Sequence, residues 1–241
     1  MKVGIIFRSY AKEAGLVPEV VKRAVLSAQK SSELRVGTDV LFEKVLILVP
    51  VDYDCGETGS RIRTALEQSR VTAEVLEVSG HHSSKALNFG IRCLYDIGFD
   101  YVVIMSNKAL EYLKFTVMKG VLSALDVGNK VVGVRINELD DVHAVPIENT
   151  FCAWDIHALL SVDGFDSKIG VEEIAPIIRL TRKFGVCTKL ISPQTEAKLN
   201  IRESTDGKVR HKDVKDTKRE RQEAEAIRLG ATIEWVLQHI F

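Results

Sequence analysis

Val45-Leu46-Ile47-Leu48-Val49-Pro50-Val51 is an uninterrupted apolar run, rich in branched side chains. A helix needs ~20 apolar residues to cross a bilayer, so this run is far too short for a membrane span. It reads instead as a strand buried on both faces, the kind found in parallel sheets covered by helices. Similar runs occur at Val3–Phe7, Glu74–Val78, Tyr101–Met105, Val131–Ile136 and Val186–Ile191. Between them lie stretches of helical spacing. Val20, Val21, Ala24, Val25 and Ala28 share one face of a first helix, with Pro18 in its first turn. Arg61–Ser69 and Lys85–Ile97 read as the next two, the latter with a stripe of Leu87, Ile91, Leu94 and Ile97 and a C-terminal Gly98. Strands alternating with helices predict an α/β fold: a Rossmann-like, mostly parallel sheet with helices on both faces.

Composition agrees. In 241 residues, 46% are hydrophobic and 27% charged, which suits a packed domain rather than a disordered chain. Lys+Arg and Asp+Glu both number 33, so net charge points to neither nucleic acid nor membrane as a partner. Met1–Phe7 lacks the apolar core and cleavage site of a signal peptide. Cys55, Cys93, Cys152 and Cys187 form no C-x-x-C pair and read as reduced thiols. A cytoplasmic protein is expected. No internal repeat is visible.

The domain boundary is placed near residue 195, with an α/β domain over 1–195 and a charged loop and C-terminal helix over 196–241, packed on the same domain. Arg202–Asp213 is polar and aperiodic and is expected to be a mobile loop. Its basic residues Arg202, Lys208, Arg210, His211 and Lys212 suit either a solvated surface or a lid over a bound anion. Glu220–Ile240 reads as one final helix, with Ala224, Ile227, Ala231, Trp235 and Leu237 apolar. It is expected to pack on the sheet or to make a homo-oligomer contact.

In open parallel sheets ligands bind beyond the carboxyl ends of the strands. The loops to inspect are therefore Arg8–Glu13, Asp52–Ser60, Gly80–Asn88 and Ser106–Lys108, all polar. Gly56-x-x-Gly59 lacks the lysine and spacing of a phosphate-binding P-loop. His81-His82 are adjacent and point apart on an extended chain, which disfavours a shared metal.

Several of these segments occur in an order that resembles family-2 glycosyltransferases. Phe7-Arg8-Ser9-Tyr10-Ala11-Lys12-Glu13 is similar to their first nucleotide-contacting segment, and Asp54-Cys55-Gly56-Glu57-Thr58-Gly59 to their second. Lys85-Ala86-Leu87-Asn88-x-Gly90-Ile91 resembles the lysine/asparagine segment opening the third helix. Asn149-x-Phe151-x-Ala153 and Leu159-Leu160-x-Val162-Asp163-Gly164-Phe165-Asp166 resemble the acceptor-side segment, followed by Gly170-Val171-Glu172-Glu173, which looks like the family's acidic pair. The likeness spans about residues 3 to 191. It implies the nucleotide-diphospho-sugar transferase (GT-A) fold, with a short antiparallel addition near Thr150–Trp154. It also implies transfer of a sugar from a UDP- or GDP-sugar donor to an unknown acceptor hydroxyl.

The resemblance assigns roles residue by residue. Asp54, with Asp52, Ser9, Tyr10 and Glu13 nearby, binds the base; the competing reading makes the aspartates turn residues or a helix cap. Lys85 and Asn88 lie at a helix start suited to diphosphate, although a plain surface lysine fits Lys85 as well. Glu173 takes the place of the catalytic base, which removes a proton from the attacking hydroxyl, and Glu172 orients it. The bland alternative is that both glutamates complement a helix dipole. Trp154 and Asp166 fall on the acceptor side.

One departure matters. Where the family carries an Asp-x-Asp segment for Mg²⁺ or Mn²⁺, this chain has Ser106-Asn107-Lys108. Either Lys108 replaces the cation as a point charge, or the site is degenerate and the protein is a non-catalytic nucleotide- or protein-binding relative. Nucleotidyl transfer is disfavoured, because the loop after the first strand is not glycine-rich. The Gln-x-x-Arg-Trp segment and membrane helices of processive synthases are missing, which favours single-sugar addition.

Overall fold

The structure, a computed structural model, describes residues 1–52, 54–79, 84–135, 149–166, 171–192 and 205–239, with the backbone alone for Lys108 and residues 205–216. The described strands are β1 (Val3–Arg8), β2 (Arg35–Val36), β3 (Asp39–Val40), β4 (Lys44–Pro50), β5 (Glu74–Val78), β6 (Tyr101–Met105), β7 (Val131–Val134), β8 (Phe151–Asp155) and β9 (Thr188–Ile191). The described helices are α1 (Val17–Glu33), α2 (Thr58–Ser69), α3 (Ser84–Asp96), α4 (Phe115–Asp126), α5 (Ile156–Leu160), α6 (Ile174–Phe184), α7 (Thr205–Arg228) and α8 (Ile233–Gln238).

Seven strands form one sheet in the order β5-β4-β1-β6-β8-β7-β9. Every neighbouring pair is parallel except those involving β8, which runs antiparallel to both β6 and β7. The antiparallel segment expected near Thr150–Trp154 is therefore present, but it lies inside the sheet. Phe151–Asp155 is buried along its whole length, which suits an interior strand.

The continuous apolar runs are explained by two cores, one on each face. Ile6, Leu46, Leu48, Val102, Ile104 and Trp154 point into the layer covered by α3, α5 and α6. Ile5, Phe7, Val45, Ile47, Val103 and Met105 point into the layer under α1, α2 and α4. Successive residues of one strand thus serve opposite cores, so each position must be apolar. Full burial of each such side chain is worth roughly 1.5–3 kcal/mol.

Several boundaries differ from the sequence reading, β1 at one end and α3 at both ends by a single residue. Val45–Val51 is shifted by one residue to Lys44–Pro50, and the runs at Val131–Ile136 and Val186–Ile191 are shorter as strands. Ile136 itself falls outside the described residues. The α2 helix begins at Thr58 rather than Arg61. Gly98 follows α3 with φ +82°, as its position implies.

The larger correction concerns the end of the chain. The stretch expected to be a loop over Arg202–Asp213 is helical from Thr205, the start of α7. It is rich in Lys, Arg and Glu, good helix formers even without an apolar stripe, and exposed pairs such as Arg219–Glu223 (3.1 Å) add support. The single helix expected over Glu220–Ile240 is broken in two. Gly230 adopts φ +66° and ends α7, and the Thr232 side chain then caps α8 by accepting from Trp235 N–H. Ala226, Ile233 and Val236 are buried in the α3/α6 core, so this part of the chain covers the domain's own apolar surface. Among the described residues no helix is long and apolar enough to cross a membrane.

Candidate active site

The carboxyl ends of β1, β4 and β6 meet the amino end of antiparallel β8. Backbone bonds knit these ends: Ser9 N–H donates to Leu48 O (2.9 Å), and Ser106 N–H donates to Thr150 O (2.9 Å). Ser9, Asn107, Asp54, Asn149 and the acidic pair Glu172-Glu173 are thereby drawn to one edge of the sheet.

Asp54 joins two of the loops. Its Oδ1 accepts from Ala11 N–H (3.0 Å), and its Oδ2 accepts from Gly56 N–H (3.0 Å) and Thr58 N–H (3.1 Å). Cys55 N–H donates to Ala11 O (2.8 Å), closing the clamp. Partial burial pushes the Asp54 carboxyl up, but hydrogen bonds from Thr58, Ala11 and Gly56 outweigh it and hold the pKa below the usual carboxylate range. Asp54 thus fastens the turn that leads into α2, whose N-cap position is Glu57. A carboxylate has about four lone-pair sites, so a base N–H still has an acceptor there. Around this clamp Tyr10 is half-buried, while Glu13 and Asp52 are exposed; Tyr53 lies outside the described residues.

Asn107 is built into the fold as well. Ser27 Oγ donates to Asn107 Oδ1 (2.9 Å), and Asn107 Nδ2 donates to Ser9 Oγ (2.9 Å). Ser9 and Ser27 are buried, so this chain ties α1 to the ends of β1 and β6. With no carboxylate in Ser106-Asn107-Lys108 and the amide committed to both serines, these residues do not fit a divalent cation, which requires several oxygen ligands. Among the described residues no group of three or more His, Cys, Asp or Glu side chains is placed to hold a metal. His81 and His82 lie outside the described residues, as does the side chain of Lys108.

The acidic pair precedes α6 and is buried. Glu172 Oε1 lies 3.0 Å from Arg8 Nη1. Burial pushes the Glu172 carboxyl up, but the Arg8 guanidinium outweighs it, with Lys218 of α7 adding to the positive field, and the pKa lies below the usual range. Glu173 Oε1 accepts from Asn149 N–H (2.9 Å), and Asn149 Oδ1 accepts from Trp154 Nε1–H (3.0 Å). Trp154 is fully buried, with its ring 4.9 Å from that of Phe165. It therefore supports Asn149 from within the core and cannot itself touch an acceptor. Cys152 shares this interior; burial first, and then the Glu173 carboxylate, push its thiol well up.

The segment read as the acceptor side is fastened from two directions. Asn88 of α3 mimics a backbone partner: Nδ2 donates to Phe165 O (2.8 Å), and Oδ1 accepts from Phe165 N–H (2.9 Å). Asp166 pairs with Arg179 of α6 (2.7 Å) and Arg228 of α7 (3.3 Å). Lys85 stands exposed at the start of α3.

Sequence reasoning missed Arg8, Asn149 and Lys218. Arg8 was inside a quoted segment, but nothing local distinguishes a strand-end arginine that reaches a glutamate far along the chain. A separate open cleft of about 630 Å³ lies at the amino edge of the sheet, lined by Ser32, Val40, Phe42, Lys44, Thr72 and Glu74. It carries none of the residues above.

No family model matches this sequence, and no curated protein matches it. Solved structures do. A mannosyltransferase from Pyrobaculum calidifontis, in complex with GDP-mannose and Mn²⁺, is similar over 99% of this chain and 68% of its own, at 17% identity and a TM-score of 0.67. A 4-diphosphocytidyl-2C-methyl-D-erythritol synthase from Anaerococcus prevotii is similar over 88% of this chain and 96% of its own, at 12% identity and a TM-score of 0.54. A putative nucleotide-diphospho-sugar transferase from Desulfovibrio desulfuricans covers 91% of this chain and 99% of its own, at 11% identity and a TM-score of 0.50. At these identities the likeness establishes the fold, which is that of the nucleotide-diphospho-sugar transferases.

Proposed function

We propose that this chain moves a glycosyl group from a UDP- or GDP-sugar to an acceptor hydroxyl, the chemistry residing in residues 1–195 with residues 196–241 packed over them. One observation carries the reading: adjacent carboxylates, Glu172 and Glu173, are buried together at the carboxyl edge of the central strands and held by Arg8 and Asn149. Burying two carboxylates side by side is costly, and such pairs concentrate at functional sites.

In the reaction the acceptor oxygen forms a bond to the anomeric carbon as the bond to the β-phosphate oxygen breaks. Glu173 takes the hydroxyl proton, and the electron pair leaves with the nucleoside diphosphate. The Asn149 N–H fixes the Glu173 carboxylate, and Glu172 orients the acceptor. The base stacks over the Asp54 loop beside Ser9, Tyr10 and Glu13, with Asp52 flanking it. Lys85 and Lys108 contribute positive charge toward the diphosphate. The similar mannosyltransferase holds GDP-mannose with Mn²⁺, which supports a nucleotide-sugar donor. The metal is not carried over, because Ser106, Asn107 and Lys108 supply no site for it.

A second reading, a non-catalytic nucleotide-binding relative, is favoured by one feature. Asp54, Asn88 and Asn107 all spend their side chains on internal hydrogen bonds. The discriminating assay follows release of nucleoside diphosphate from UDP- and GDP-hexoses by the wild type and Glu173→Gln. Glycosyl transfer requires that Glu173→Gln lowers release by about 10²-fold or more while nucleotide affinity is kept. Nucleotide binding with no release from any donor supports the non-catalytic reading. Failure to bind any nucleoside diphosphate overturns both.

A further inference from the structure

We infer that Arg8 receives the diphosphate of the bound nucleotide, giving up its ion pair with Glu172 to do so; this rests on the nucleotide-sugar reading above. Arg8 is the last residue of β1, the strand between β4 and β6, so it stands at the middle of the carboxyl edge. Its side chain is 28% exposed, while that of Glu172 is 10% exposed. Arg8 is thus the more exposed partner of the pair. The pairing runs through a single nitrogen, Nη1. A guanidinium has five N–H donors in a planar fork that matches phosphate oxygens, and the ion pair with Glu172 engages one of its nitrogens.

Two further features make the exchange feasible. Glu172 also lies in the field of Lys218 from α7, so it keeps a counter-charge when Arg8 turns to the phosphates. Ser106-Asn107-Lys108 after β6 carries no carboxylate, and among the described residues no group of acidic or histidine side chains is placed to hold a cation, so a basic side chain at this edge is the group available to meet the diphosphate charge. Arg8 is already held at the central strand end by a buried carboxylate.

The test is calorimetric titration of the full chain with UDP, GDP and inorganic pyrophosphate in EDTA. Removing Arg8 by itself leaves a buried carboxylate short of a partner, so the central variant is the double substitution Arg8→Ala/Glu172→Gln. The wild type is expected to bind without metal. The double variant, folded by circular dichroism, is expected to bind all three probes at least about tenfold more weakly. Glu172→Gln by itself is expected to bind them more tightly, because the competing anion is gone. A merely structural Arg8 would give a folded double variant with wild-type affinity for pyrophosphate, and that result overturns the inference while leaving the nucleotide-sugar reading standing. A requirement for Mn²⁺ in the wild type also overturns it. No binding of UDP or GDP by the wild type overturns both.

Discussion

Replacing Gly164 with alanine tests how the loop on the acceptor side is held. Gly164 sits at φ +69°, and a Cβ added there would lie 2.5 Å from Asn88 Oδ1 and 3.1 Å from Asn88 Cγ. The left-handed conformation costs a non-glycine residue about 1–2 kcal/mol. The clash also displaces the Asn88 amide, which makes two hydrogen bonds to Phe165, at 2.8 and 2.9 Å. Those bonds are worth about 0.5–1.5 kcal/mol each, so Gly164→Ala should cost about 2–5 kcal/mol and Asn88→Ala about 1–3 kcal/mol. In the double variant the bonds can be lost only once. Its cost should therefore match that of Gly164→Ala, leaving a coupling energy of about 1–3 kcal/mol in a double-mutant cycle. Urea denaturation of the four proteins measures this directly. Additive effects, or a cost for Gly164→Ala below about 0.5 kcal/mol, would refute the reasoning.

Two other expectations follow from the charges and thiols. The folded-state pKa of Asp54 lies below its unfolded value, so its stabilisation is full above the unfolded value and is lost as pH falls through the folded one. Asp54→Asn should lower stability at neutral pH and flatten the acid limb of the stability profile below about pH 4, measured by urea denaturation across pH; an unchanged limb counts against the clamp. Cys55 is exposed, whereas Cys152 and Cys187 are buried, and burial pushes the Cys187 thiol up to about 11. A thiol reagent at pH about 8 should modify Cys55 first and reach Cys152 and Cys187 only in denaturant, and rapid native labelling of either would contradict the packing.

Much of the sheet is legible in the sequence because its strands serve two cores at once. Val3–Phe7 and Tyr101–Met105 are nearly continuous apolar runs for that reason, whereas the edge strand β5 is interrupted by exposed Glu74 and Glu77; all three segments fall at or within one residue of β1, β6 and β5. The start of α7 is illegible by the same logic: with no apolar stripe, its periodicity is silent, and only propensity favours a helix there. The interior place of β8 depends on pairing with both β6 and β7, which no local pattern encodes.

The candidate site is legible in kind more than in detail. Polar strand-end loops follow from the strand pattern, the adjacent glutamates are picked out by the family resemblance, and the structure brings Ser9, Asp54, Asn107, Glu172 and Glu173 to one edge. What could not be read is how each side chain is spent. Asn107 bonds to Ser27 and Ser9 across 80 and 98 residues of chain, and Asn88 bonds to Phe165 across 77. Trp154 resembles an acceptor-side aromatic in sequence, yet its burial makes it a core support for Asn149.

A nucleoside diphosphate bound at the carboxyl ends of β1, β4 and β6 underlies both proposals. A crystal structure of the chain with UDP or GDP tests it most directly. The base is expected over the Asp54 loop and the diphosphate within hydrogen-bond distance of Arg8. A nucleotide seated instead in the amino-edge cleft, against Phe42 and Thr72, would contradict it.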